Sequence, residues 1–213
     1  MAIRQSASTP GAFHELRSAQ LRPLRPFAGR RQSAGFNLLE LMTAVTIGAI
    51  LMGMGVSSYR YVTNSNRVST EVNTLLGDLM LARSEAIKEG VNVITCPSTD
   101  QKTCAGTNVW QGGWIVFADV NGDGAYTSTT DVMIRVQKAF NYSTTDTFTS
   151  DNAMQSVTFN REGFAINQPT TTNNYVTVTL HTSPVNNQWT RCLQIGTFGN
   201  LVTERYQASG SCQ

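Results

Sequence analysis

Histidine is nearly absent from this chain: only His14 and His181 occur, and only His181 lies beyond residue 35. A serine or cysteine nucleophile needs a base oriented by a third group, and a lone histidine without a visible companion supplies no such relay. The same scarcity argues against zinc, and none of the four cysteines falls in a C-x-x-C spacing. No phosphate-cradling glycine loop is present either, since Gly53-Met54-Gly55 lies inside an apolar run. No internal repeat stands out. An enzyme is not expected, nor a cofactor or a small-molecule substrate, and His181 reads as a structural residue of a strand.

Charge is as unevenly spread as histidine is scarce. Residues 1–35 contain Arg4, Arg17, Arg22, Arg25, Arg30 and Arg31, no lysine and a single acid, Glu15, for a net charge of about +5. From Leu38 to Val56 the only charge is Glu40. About 20 apolar residues are needed for a helix to cross a hydrocarbon core of about 30 Å, so residues 36–56 are expected to span a membrane. The positive-inside rule then leaves residues 1–35 in the cytoplasm and the bulk of the chain outside. After Val56 come Ser57, Ser58, Tyr59 and Arg60, with no small-residue cleavage site, so the apolar segment is retained. A carboxylate at the bilayer centre costs about 2.5–3.5 kcal/mol, less near an interface, and Glu40 therefore reads as functional. Beyond residue 35 the chain has 10 basic and 13 acidic residues, about −3 net, which excludes a polycationic surface. Its length suits one modest domain plus a helix.

The helical pattern continues past the apolar run. Tyr59, Val62, Val68, Val72, Leu75, Leu76, Leu79, Met80, Ala82, Ala86 and Ile87 fall mostly three or four residues apart, and Gly90 is a natural stop. One helix over about 38–89 is predicted, apolar all round in its first half and amphipathic over 57–89. Gly48, Gly53 and Gly55 would loosen the first half or let neighbouring helices approach closely. Residues 90–213 shift to Thr, Val, Asn and Gly and read as a β-rich head. Strands are predicted at 91–96, 114–118, 132–136, 157–160, 175–181, 189–195 and 201–206, with polar loops at 144–152 and 168–174.

The stretch Gly35-Phe36-Asn37-Leu38-Leu39-Glu40-Leu41, behind its basic leader, resembles the start of type IV prepilins and of the pseudopilins of type II secretion. The resemblance implies cleavage between Gly35 and Phe36 by a prepilin peptidase, N-methylation of Phe36, and a Glu40 that meets the terminal amine of a neighbouring subunit. Pairing a carboxylate with an ammonium makes each tolerable in lipid. Asn37 stands where the family usually has Ser or Thr, and the leader is longer than most. Further on, Trp110-Gln111-Gly112-Gly113-Trp114-Ile115-Val116-Phe117-Ala118-Asp119, followed by Asp131 and Ile134-Arg135-Val136, is similar to the GspH/FimT family of minor pilins and minor pseudopilins.

That resemblance implies an α+β, type IV pilin-like fold: a long N-terminal helix packed on a mostly antiparallel, β-sandwich-like head. It implies a subunit that primes or caps a type IV pilus, with a role in motility, adhesion or DNA uptake, or else a minor pseudopilin of type II secretion. The paired C-terminal cysteines and the Cys192-Leu193-Gln194-Ile195 to Gly199 tail lean towards the pilus members. The implied partners are other pilins or pseudopilins, the prepilin peptidase/methyltransferase and the bacterial inner membrane. The head would be periplasmic and, after assembly, at the filament tip.

Three further features stay open. Asp119, Asn121, Asp123 and Gly124 fit the start of a calcium loop, D-x-N-x-D-G, but the twelfth position is Thr130 and Asp131 misses it by one. A hairpin turn is expected there, with a weak calcium site as the alternative. Cys96, Cys104, Cys192 and Cys212 allow three pairings; Cys96 with Cys104 and Cys192 with Cys212 is favoured, each adding about 2–4 kcal/mol in an oxidising periplasm. Some pilus members carry a C-terminal Gly-Arg-x-Arg motif that binds DNA. The corresponding Gly199-Asn200-Leu201-Val202 lacks both arginines, leaving Arg191 and Arg205 as the nearby cations and implying weak, strongly salt-dependent DNA binding at most.

Overall fold

The computed structural model describes residues 35, 37–168, 174–207 and 212, with backbone alone for 54–58. The leader, Phe36 and most of the expected loop at 168–174 lie outside the described residues. The chain divides into two units, Met1–Thr46 and Ile47–Gln213.

In the first unit, helix α1 (Leu38–Glu89) begins, with the Leu41 amide donating to the Asn37 carbonyl at 3.1 Å. Thr43 and Thr46 turn their hydroxyls back on the helix, to the Glu40 carbonyl at 2.9 Å and the Met42 carbonyl at 2.8 Å. Polar side chains in an apolar stretch are thereby satisfied without outside help. Among the described residues no helix is long and apolar enough to cross a membrane. The expected span, 36–56, includes Phe36 and the side chains of 54–56, which are not described.

In the second unit, α1 lays a single stripe into the core: Val68, Val72, Leu75, Leu79, Ala82 and Ala86, alternating four and three residues apart, are all buried. The helix stops at Gly90, whose amide bonds the Ala86 carbonyl at 3.0 Å and whose φ of +71° suits glycine. The strands that follow are β1 (Asn92–Pro97), β2 (Gly113–Asp119), β3 (Val132–Lys138), β4 (Thr147–Ser150), β5 (Val157–Phe159), β6 (Ala165–Ile166), β7 (Tyr175–His181), β8 (Arg191–Gly196) and β9 (Leu201–Arg205). They form two antiparallel sheets, ordered β3-β2-β1-β5-β6 and β4-β7-β8-β9. One core joins the helix stripe to Val93, Trp114, Val116 and Phe159 of the first sheet and to Phe148, Val178, Leu180, Leu193 and Ile195 of the second. On the other face of the first sheet, Ile94, Cys96, Ile115 and Phe117 make a smaller cluster against Tyr126.

The stretch 144–152 is not the polar loop that its composition suggests. It contains β4, which pairs with β7 from Thr147 opposite His181 to Ser150 opposite Val178, and Phe148 is fully buried. A single buried aromatic between threonines is enough to make a strand when a long neighbour offers an open edge. The two-residue β6 is likewise held by its partner rather than by its own pattern.

Candidate functional site

Two of the residues that the sequence singles out, Gly35 and Glu40, lie at the beginning of the described chain. Glu40 sits in the first turn of α1, where an acid is favoured by the helix dipole. It is exposed, as are Leu38, Leu39, Leu41, Met42 and Val45 around it. Gly35 precedes the helix, and Phe36 lies outside the described residues.

The Trp110–Trp114 motif fastens the head to its helix. Trp110 N donates to the Phe148 carbonyl at 2.6 Å, and the Gln111 side-chain oxygen accepts from Phe148 N at 2.9 Å, so the motif covers the edge of β4 that β7 leaves open. Gly113, at φ +98°, lies against the backbone of Gln137 and Lys138, where any Cβ would collide. Trp114 is buried, and its indole donates to Asp78 Oδ2 at 2.9 Å. Asp78, itself buried on α1, is also paired with Arg135 Nε of β3 at 3.4 Å. A carboxylate inside a helix–sheet contact thus has a hydrogen-bond donor on one oxygen and a cation on the other.

In the acidic loop, most carboxylate oxygens accept backbone N–H groups. Asp119 takes Gly122 N at 2.8 Å and Gly124 N at 3.1 Å, Asp123 takes Ala125 N at 2.8 Å, and Asp131 takes Thr127 N at 2.7 Å and Val120 N at 3.1 Å. Asn121 donates to Asp123 at 2.7 Å. This is a turn built on Asx-type bonds. Asp119, Asp123 and Asp131 nevertheless place one oxygen each within 4.8 Å of the others, so they are carboxylates that could hold a cation, and Asp131 joins the loop's first acids in that group. A twelve-residue helix-loop-helix template misses Asp131 because this loop closes as a hairpin.

The cysteines form the disulfides Cys96–Cys104 and Cys192–Cys212. Within the first loop Asp100 accepts from the amides of Thr103 and Lys102, which holds its carboxyl well below the usual range. Arg191 and Arg205 face each other across β8 and β9. Arg191 is buried and donates to the Gln188 and Thr190 carbonyls, each at 2.9 Å, and to Ser65 Oγ at 3.1 Å, whereas Arg205 is exposed. Burial and the neighbouring Arg205 lower the Arg191 pKa. His181 packs its ring on Tyr206 and lies 3.2 Å from Thr190 Oγ1, and burial lowers its pKa.

Two polar clusters escape sequence reasoning. Arg67 pairs with buried Asp146, lies over the Tyr142 ring at 4.0 Å, and has Glu71 one helical turn away. Arg83 donates to the Gly163 carbonyl at 3.0 Å and the Gly199 carbonyl at 2.9 Å, drawing two loops together so that Phe164 and Phe198 meet edge to face. The only signal for either in the sequence is a charged residue beside an apolar helical stripe.

A long N-terminal helix on antiparallel sheets is the pilin-like α+β fold. The structure is similar to the crystal structure of the type IV minor pilin FimU of Pseudomonas aeruginosa PAO1 in space group P21, with TM-score 0.50 and 18% identity over 70% of this chain and 93% of that one. The P65 form of FimU gives TM-score 0.45 and 17% identity over 70% and 96%. No curated protein matches the sequence. The family model described as "Type II transport protein GspH" matches residues 71–199, and the chain belongs to that family of minor pilins and pseudopilins. Its members are structural subunits, membrane-anchored and assembled with other pilins into filaments.

Proposed function

We propose that this chain is a minor pilin of a type IV pilus, a structural subunit without catalytic activity that primes or caps the filament. Residues 1–35 are the leader, cut between Gly35 and Phe36 by a prepilin peptidase, after which Phe36 is N-methylated. Residues 36–56 hold the subunit in the inner membrane with the head in the periplasm, and Glu40 docks on the terminal amine of a neighbour. The observation that carries this reading is the exposed apolar start of α1 with one carboxylate in its first turn. The fold likeness to FimU, itself a type IV minor pilin, supports the pilus. The description of the matching family favours the second reading, a minor pseudopilin of type II secretion. A DNA-binding tip is less supported, because the Arg191 guanidinium is engaged within the fold and only Arg205 faces solvent.

Mass spectrometry of the chain from cells with working maturation machinery should find Phe36 as a methylated N-terminus; a retained leader would overturn the reading. Glu40→Ala should be cleaved normally yet be missing from sheared filaments. A deletion strain should lose twitching or transformation, and loss of exoenzyme secretion alone would favour the pseudopilin.

A further inference from the structure

Within the second unit, three contacts gather the loops of one end of the head around residues 61–67 of α1. The Trp189 ring lies 6.2 Å from that of Tyr61, Arg191 reaches Ser65, and Arg67 holds Asp146 and covers Tyr142. The loops are therefore 139–146 and 182–190. At the other end of the head Arg83 clamps Gly163 and Gly199.

The exposed apolar residues of the two ends differ in kind. Near residues 61–67 they are Tyr59 (73% exposed), Val62, Tyr142 (50%) and Val185 (66%), accompanied by exposed Arg60. Arg60 has no ion-pair partner among the described residues, and Asp146 is already neutralised by Arg67. At the far end they are Met80, Ile87, Val120, Phe164 and Phe198, with no ring that carries a polar tip, beside the ion pairs Lys88–Glu85 and Arg161–Glu162. Rings with polar tips are the side chains of membrane–water interfaces, and an arginine there can reach anionic headgroups. The spacing fits as well. A helix rises 1.5 Å per residue, so Tyr59 to Tyr61 lie about 5–8 Å beyond Val56, the end of the apolar run. The headgroup layer on each face of a bilayer is about 5–8 Å deep.

We infer that this end of the head, through Tyr59, Arg60, Val62 and Val185, rests in the headgroup layer of an anionic bilayer before the subunit enters a filament. The inference depends on residues 36–56 spanning the membrane. The Tyr61–Trp189 contact is the strut that ties the 182–190 loop to the helix at that depth, and Arg60 supplies the complement to lipid phosphates. A subunit so seated has its head held at a fixed height and tilt, and taking it into a filament must break the contact.

Two exposed valines make the test. Val185 is in the 182–190 loop; Val120 follows β2, whose Asp119 is paired with Asn92 next to the helix C-terminus, at the opposite end. The full chain carrying Val185→Trp or Val120→Trp is reconstituted in phosphatidylethanolamine/phosphatidylglycerol vesicles containing a lipid spin-labelled near its headgroup, with thermal melts confirming that each variant is folded. Both variants are made in a Trp189→Phe background, which keeps an aromatic ring against Tyr61, so that the remaining Trp110 and Trp114, fully buried, give a constant background. The expected result is several-fold stronger quenching for Val185→Trp than for Val120→Trp. Equal quenching in chains that float with the vesicles would overturn this inference alone and give the surface to a neighbouring subunit. Failure to float would overturn the membrane-spanning reading itself.

Discussion

Helix α1 contains two apolar stretches that the rest of the chain treats in opposite ways. Over the described side chains of 38–53, Leu38, Leu39, Leu41, Met42, Val45, Ile47, Ile50, Leu51 and Met52 are all exposed. Over 68–86, the apolar residues that fall on the four-three spacing are buried to within 1%. Apolar content does not separate the two, but its angular distribution does. A stripe can be covered by one sheeted head, while a helix apolar on every side needs a medium or several neighbours. The stripe of the second stretch is covered within the head, while the described side chains of the first are left exposed.

The contrast breaks or sharpens most strongly with paired truncations. Leu75→Ala, in the buried stripe, should lower unfolding stability by about 2–5 kcal/mol, because the cavity adds to the lost transfer energy. Ile50→Ala, in the exposed stretch, should leave the head's stability in detergent within about 0.5 kcal/mol. Urea unfolding followed by tryptophan emission measures both. A comparable loss for Ile50→Ala would mean that the first stretch also serves the fold of the head.

The next effect in size concerns how the second stretch is fixed rather than how it is buried. Asp78 is the point where α1 is bonded to the sheet by hydrogen bond and charge together. Asp78→Ala strands the Trp114 indole in the core and leaves Arg135 without its partner, which should cost about 2–3 kcal/mol. Asp78→Asn, which can still accept the indole N–H, should recover part of that loss. If Ala and Asn are equally tolerated, packing of the stripe alone holds the helix in place.

Helix α1 was legible because its two apolar patterns are long and its stop is a glycine with no competing signal. The strands rich in Val, Ile and aromatic residues, such as β2 and β7, were legible for the same reason. Strand β4 was not, since Thr-Phe-Thr-Ser becomes a strand only when β7 lies beside it, and no window of sequence contains both. The polar ties were less visible still. Asp78 needs Trp114, 36 residues away, and Arg83 needs Gly163 and Gly199, 80 and 116 residues away, so each looks alone in sequence. Asp131 falls one residue outside a spacing rule that belongs to a loop between helices, and this loop joins two strands. Arg191, by charge alone a candidate for phosphate, is turned inward by acceptors that the sequence places in an unremarkable loop.

The smallest effect tests whether the second stretch carries a penalty as well as a gain. Glu71 is buried on α1 beside Arg67 and Asp146. Burial, partly opposed by the Arg67 guanidinium and reinforced by the Asp146 carboxylate, raises its pKa from 4.5 to about 6. Between those values the folded chain binds more protons here than the unfolded chain does, so this group's contribution to stability falls as pH rises through the window. The penalty is complete above about pH 6 and relieved below about pH 4.5. Glu71→Gln should therefore raise stability by about 1–2 kcal/mol near pH 7.5 and change it little near pH 4. Paired urea titrations at the two pH values measure the difference. A glutamine that destabilises the protein near pH 7.5 would make the ionised Glu71 a net partner of Arg67, and the buried side of α1 would then be held by charge as well as by its stripe.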